Sequence, residues 1–236
     1  MALLIIKTGS TPHAISARLG DFEDWFRRHL TVPKINVVAV HAGDALPAHR
    51  GIERVLITGS AHMVTERHDW SEQTAAWLRE AHAIGMPILG VCYGHQLLAH
   101  ALGGAVDWNP HGRQIGLTEI ALEPQAQADA LLGGFGPAFN AFTTHQQSVL
   151  ALPKGAILLA STAKDPHHAF RVGERSWGVQ FHPEFNEEIM HAYLDDRHAH
   201  LSADGINVEE LKKKSKPAPE AARILTRFAQ VPSHSP

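Results

Sequence analysis

Apolar residues in the first half of the chain follow two alternating rhythms. Short runs rich in aliphatic and β-branched residues, LLIIK, INVVAVH, RVLITG and PILGV, are separated by stretches in which apolar positions recur every three or four residues. Phe22, Trp25 and Phe26 mark the first such stretch, DFEDWFRRHL, with His29 at the same spacing. The next begins at Asp69 or Ser71, either suited to cap a helix, and carries Ala75, Ala76, Leu78 and Ile84 before Gly85 and Pro87 stop it. A third, GHQLLAHALGG, closes in paired glycines. Apolar runs this short suit strands buried on both faces, and strands separated by helices build a parallel sheet with crossover connections. The expected class is α/β.

Beyond Gly104 the rhythm changes. IGLTEIAL, AFTTHQQSV, AILLAST, HAFRVG and SWGVQF predict shorter strands joined by Pro- and Gly-containing turns, so this half is expected to be partly antiparallel. A helical stretch follows Glu184, and the lysine-rich KKKSKPAPE reads as a solvated connection. Ala221, Ile224, Leu225 and Phe228 then repeat at helical spacing, predicting that the tail, about 205–236, packs on the domain as a helix. With 236 residues and 44% hydrophobic content, the chain 1–236 is read as one domain around one substantial core.

Charge narrows the partners. Lys+Arg 21 against Asp+Glu 24 gives no broad basic field, so a small-molecule substrate is expected and nucleic acid is not. The opening apolar run is broken at Lys7, too soon for a membrane span or signal peptide. A single cysteine cannot form an internal disulfide, which points to the cytoplasm. Histidine is abundant, at 18 residues, but His167, His168, His191, His198 and His200 are read as scattered surface residues. Neither a metal site nor a cofactor is expected.

The candidate chemistry centres on PILGVCYGHQLLAH. A buried strand runs through Gly90, Val91, Cys92, Tyr93 and Gly94 directly into a helix, and the flanking glycines permit the sharp turn of a nucleophile elbow. The helix places the positive end of its dipole near the sulfur, a setting that favours nucleophilic reactivity. Amide cleavage by a thiol also needs a group that delivers a proton to the departing amine, a role suited to imidazole. His182 in WGVQFHPEF is the best placed candidate, and Glu184, two residues on in an extended segment, projects to the same side. The N–H of Tyr93, just after the nucleophile, suits an oxyanion donor. Gln96 lies one helical turn beyond Cys92 and can stand beside it.

GVCYGHQ followed roughly ninety positions later by FHPEF resembles the class I, or triad, glutamine amidotransferases, and in particular glutaminase domains like that of GMP synthase. The resemblance implies a flavodoxin-like three-layer sandwich, with Cys92 as nucleophile, His182 as general base and acid, and Glu184 orienting it. It further implies oxyanion donors from Gly59 and Ser60 in the turn after RVLITG, and a seat for the amino-acid end of glutamine at Gln96, Gln146 and Gln147. His145-Gln146-Gln147-Ser148 departs from the Ser-His-Gly-Asp-like turn of relatives, and TGSAHMVTERHDW departs from their Gly- and Pro-rich turn. In that second segment His62 and Arg67 are read as exposed loop residues within reach of a larger substrate. No Walker-type phosphate loop is present, so ammonia is expected to pass to a synthetase on a separate chain. The alternatives are a γ-glutamyl hydrolase or peptidase and a non-catalytic regulatory relative.

Overall fold

Alternate side chains of the first strand point to opposite faces, and both faces are covered. In a computed structural model describing residues 2–233, β1 (Ala2–Lys7) buries Leu3 and Ile5 in one apolar cluster and Leu4 and Ile6 in another. The chain continues through α1 (His13–Leu19), α2 (Phe22–Arg27), β2 (Ile35–Ala39), β3 (Ile52–Ile57), α3 (Asp69–Ala83), β4 (Ile88–Val91) and α4 (Tyr93–Ala101). Next come β5 (Ala105–Trp108), β6 (Gln114–Leu122), β7 (Ala138–His145), β8 (Gln147–Ala151), β9 (Ile157–Ser161), β10 (Ala169–Val172) and β11 (Ser176–Val179). Four helices close the chain: α5 (Glu187–Asp196), α6 (His198–Ala203), α7 (Val208–Lys214) and α8 (Pro219–Gln230).

Nine strands form one sheet in the order β2-β1-β3-β4-β11-β10-β9-β6-β7, while β5 and β8 make a separate antiparallel pair. Pairing is parallel from β2 to β11 and antiparallel from β11 to β7. The α/β expectation, with a mostly parallel centre and antiparallel additions, holds. One face of the sheet carries α1, α2, α5 and α8 and the other carries α3 and α4, giving three layers. Because β4 and β11 run parallel in register as far as Val91 and Val179, the residues that follow both strands emerge at the same carboxyl edge.

Details differ from the sequence reading where packing outranks local pattern. Neither Asp69 nor Ser71 caps α3: His68 holds the N-cap position, and the Ser71 hydroxyl is buried against Tyr93 Oη at 2.7 Å. The inward stripe of that helix runs through Thr74, Ala75, Leu78 and Ala81, whereas Ile84 lies past the helix end and is 49% exposed. AFTTHQQSV divides at Gln146 into β7 and β8, which belong to different sheets. The lysine run is not all connection: Lys212, Lys213 and Lys214 close α7, where cations suit the helix dipole, and Lys212 pairs with Asp195. The tail helix α8 buries Ala221, Ile224, Leu225 and Phe228, while residues 234–236 of the expected tail and Met1 lie outside the described residues.

Lys7, which broke the apolar run in the sequence, is nearly buried and meets Asp21 at 2.7 Å and Glu23 at 2.8 Å. Asp21 also accepts the amides of Thr11 (2.9 Å) and Phe22 (2.8 Å), so one carboxylate both caps α2 and ties it to the end of β1. Burial works to raise the Asp21 pKa, but the Lys7 ammonium and the two amides outweigh it and hold the carboxyl below its ordinary range. Asp21→Ala removes a cap and one of the two carboxylates that meet the Lys7 ammonium, leaving Glu23 to pair it, with an expected loss of about 1–2 kcal/mol in urea unfolding. Because the folded pKa is depressed, Asp21's contribution is complete above the unfolded value of 3.8 and fades as pH falls through the folded one, so the deficit shrinks below pH 3.8.

Candidate active site

Between the last residue of β4 and the first of α4 there is a single residue, Cys92, with φ 53° and ψ −102°. An L-residue adopts that conformation only when its surroundings enforce it. Here they do. A Cβ on Gly90 would stand 2.3 Å from the carbonyl oxygen of Gly94, and a Cβ on Gly94 would stand 2.5 Å from that of Ile57. Only glycine at both positions lets α4 press onto β3 and β4 this closely. The Cys92 amide donates to Val179 O (2.9 Å) and its carbonyl accepts from Gln96 N (3.1 Å), which fixes both ends of the elbow. The residue is buried, its sulfur lies 3.9 Å from Thr144 O, and the Tyr93 amide beside it meets no acceptor among the described residues.

His182 follows β11 and is held on every side. Its amide donates to Phe142 O at 2.8 Å, and its Nδ1 stands 2.7 Å from Glu184 Oε1. The ring is stacked between Phe185 (centroids 4.1 Å apart) and Phe22 (6.3 Å). A Cβ on Gly59 would come within 3.0 Å of His182 Cε1, so the turn after β3 also bounds the imidazole. Nε2 has no hydrogen-bond partner among the described residues, and His182 shares a cavity of about 190 Å³ with Cys92, Ser60, Thr144 and Arg197. Burial works to lower the His182 pKa, but the Glu184 carboxylate and negative charge on Cys92 outweigh it and raise it to about 10. A buried thiol, an imidazole that readily holds a proton, and a carboxylate behind it are suited to nucleophilic attack followed by proton delivery.

A larger cavity of about 420 Å³ opens from the same cysteine. Ser60, Tyr93, Gln96, Gln146 and Gln147 line it, and Gly59 sits behind Ser60 against His182. Ser60 Oγ donates to Thr8 O (2.8 Å), which pins the turn, while Tyr93 points its hydroxyl away toward Ser71, and burial pushes its pKa up to about 12. Gln96 spends both amide hydrogens inside the protein, on Gln147 O (2.7 Å) and Gln180 Oε1 (2.9 Å). Gln146 O accepts from Asn109 N, and Gln147 Nε2 donates to Thr65 Oγ1 at 2.6 Å. His62 reaches the cavity lining, whereas Arg67 turns aside to Glu72 at 3.3 Å.

Several contributors lie outside the motifs that the sequence displays. Arg197 donates to Thr144 Oγ1 (2.7 Å), lies over the Tyr193 ring, and lines both cavities. Arg113 enters the larger one from the segment before β6. His168 is fully buried rather than at the surface, because Asp165 draws the 162–168 turn inward. Its carboxylate accepts from Ser148 Oγ (3.0 Å) and the His167 amide (3.1 Å), with His145 at 3.3 Å and His168 at 3.5 Å. Burial lowers the His145 pKa to about 4 and that of neighbouring His95 to about 3, leaving both imidazoles neutral. The Asp-Pro-His-His run was the available clue, since Asp two residues before an amide commonly forms a side-chain turn.

Superposition on a glutamine amidotransferase from Thermotoga maritima covers 98% of this chain and 96% of that one at TM-score 0.78 and 19% identity, a likeness of fold. The sequence profile of the family "Glutamine amidotransferase class-I" matches residues 26–200. The chain belongs to the class-I glutamine amidotransferase family. It is 35% identical over 191 residues to a GMP synthase of Aeropyrum pernix, covering 79% of this chain and 34% of that protein. It is 33% identical over 150 residues to one subunit of the glutamine-hydrolyzing GMP synthase of Saccharolobus solfataricus (60% of this chain, 75% of the other). Identity to gamma-glutamyl peptidase 3 of Arabidopsis thaliana is 32% over 145 residues (59% and 57%). The matched segment of this chain spans 25% of the GMP synthase of Porphyromonas gingivalis.

Two measurements probe the elbow and the dyad. Glycine relieves the strained backbone at position 92, so Cys92→Gly is expected to be about 1–2 kcal/mol more stable than Cys92→Ala in parallel melts. Glu184→Gln removes the carboxylate that sustains the His182 charge, and NMR titration of the ring should show its pKa falling from about 10.

Proposed function

We propose that this chain hydrolyses the γ-amide of glutamine through a γ-glutamyl thioester on Cys92, releasing ammonia and then glutamate. The observation that carries this reading is a thiol on a left-handed elbow sharing one cavity with His182, whose Nδ1 is held by the buried Glu184 carboxylate. The Cys92 sulfur adds to the γ-carbonyl carbon as its proton passes to His182, and the N–H of Tyr93 with those of Gly59 and Ser60 supports the negative oxygen. The C–N bond then breaks as His182 delivers its proton to the departing ammonia. Water attacks the thioester, His182 takes one of its protons, and the C–S bond breaks as that proton passes to sulfur, restoring the thiol and freeing glutamate. Glu184 holds the tautomer and the charge of His182 throughout. Gln96, with the backbone of Gln146 and Gln147, is the candidate seat for the amino-acid end of the substrate.

Ammonia needs an acceptor. The likeness to a protein named as one subunit of a GMP synthase supports a separate synthetase partner that receives it. A second reading, a γ-glutamyl peptidase, is favoured by the larger cavity, which continues past Cys92 to Arg113, Arg197 and His200 and has no carboxylate in its lining among the described residues. Arg113 pairs with Asp204 at 3.1 Å, and Arg197 is paired with no carboxylate among the described residues. Such a lining suits a leaving amine that carries its own carboxylate.

Glutamate release from glutamine and from γ-glutamyl dipeptides separates the two readings. Cys92→Ala should abolish release from every substrate while the protein stays folded, and undiminished turnover would overturn the mechanism. Glu184→Gln should retain activity lowered by about 10²–10⁴-fold, expressed in kcat. If peptides are the substrate, Arg113→Ala raises KM for them and leaves turnover of glutamine unchanged.

A further inference from the structure

The segment between β3 and α3, read from the sequence as an ordinary exposed loop with no metal site, gathers His62, Glu66 and His68 so that their donor atoms lie within 4.8 Å of one another. His68 Nε2 is 3.0 Å and His62 Nδ1 3.5 Å from the same oxygen, Glu66 Oε2. Ligands about 2.1 Å from a tetrahedral zinc ion stand about 3.4 Å apart, so these separations need little adjustment. The surrounding residues are already arranged. The Met63 amide donates to Glu66 Oε2 at 3.0 Å and fixes the carboxylate, while Trp70 stacks on His68 (5.9 Å, 14°) and meets His62 edge-on (5.6 Å). Supports of this kind hold metal ligands in orientation. All three side chains are 40–46% exposed, which leaves solvent a way in and a position for water. The nearby cation Arg67 is turned away to Glu72.

We propose that His62, Glu66 and His68 bind a borderline divalent cation, of which zinc is the representative, and that the ion latches this loop over the candidate active site. Imidazole with one carboxylate is the donor set that such ions favour over calcium or magnesium. The loop bears on the site at two points. Ser60 at its start lines both cavities around Cys92, and Thr65, between the ligands, accepts the side chain of Gln147 at 2.6 Å. A cation joining residues 62, 66 and 68 therefore restrains the segment that holds Gln147. The other His-Asp-His cluster, around Asp165, is a poorer host, since its carboxylate is engaged by Ser148 and by the His167 amide.

The test uses tag-free, full-length Cys92→Ser protein, so that the thiol offers no competing ligand, titrated calorimetrically with zinc chloride and followed by visible absorption with cobalt(II). Saturable binding of a single ion is expected, with cobalt bands of low coordination number. Glu66→Gln and His68→Ala should each weaken binding by more than about tenfold. Loading should slow trypsin cleavage after Arg67 in the parent protein and leave it unchanged in His68→Ala. Binding that persists in a His62→Ala/His68→Ala double variant would place the ion elsewhere and overturn the site, and undiminished cleavage of the loaded parent would overturn the latch. None of these readouts depends on turnover.

Discussion

Everything at the candidate site follows from how closely the start of α4 is pressed onto β3 and β4. Side chains on Gly90 or Gly94 would overlap backbone atoms, so the two glycines are what let the helix begin immediately after the strand. Helix and strand together leave Cys92 one conformation, φ 53°, which costs roughly 1–3 kcal/mol. Burial of the surrounding aliphatic side chains on both faces of the sheet offsets that cost. In return the sulfur stands at the carboxyl edge with the first free amide of the helix beside it.

The buried histidines show how environment sets the role of one residue type. Burial drives His145 and His95 neutral, and the charge of Asp165, engaged by Ser148, an amide and the imidazoles of His145 and His168, works against it without outweighing it. His182 is just as buried, yet its charge is favoured, because Glu184 is committed to it at 2.7 Å and Cys92 lies on its other side. The stacked rings of Phe22 and Phe185 prevent the imidazole from rotating away. Phe22 in turn owes its position to the Lys7–Asp21 contact, which links the end of β1 to the site through α2.

The far wall is built differently. Where Cys92 and His182 are held by strand ends, the opposite side depends on single polar contacts, two of them made by the loop between β3 and α3: Ser60 to Thr8, Thr65 to Gln147, Gln96 to Gln147, and Thr144 to Arg197. Loops of this kind open and close more easily than strand edges. Substrate choice within an otherwise common fold is expected to reside there.

The sequence by itself determined the alternation of strands and helices, the partly antiparallel second half, the elbow at Cys92 and the His-Pro-Glu segment. Each of these is local: a period of two or of 3.6, or a pair of glycines around one residue. It did not disclose Arg113, Arg197, Phe22 or Asp165 as contributors, nor the inward turn of His168, because each reaches the site from an element remote in sequence. Nor did it decide which of Asp69, Ser71 and His68 stands at the head of α3, since Ser71 is claimed by Tyr93 across the helix pair. Periodicity reports which face of an element is apolar. Only the packed sheet decides which faces meet, and therefore which charges, rings and ligands share a cavity.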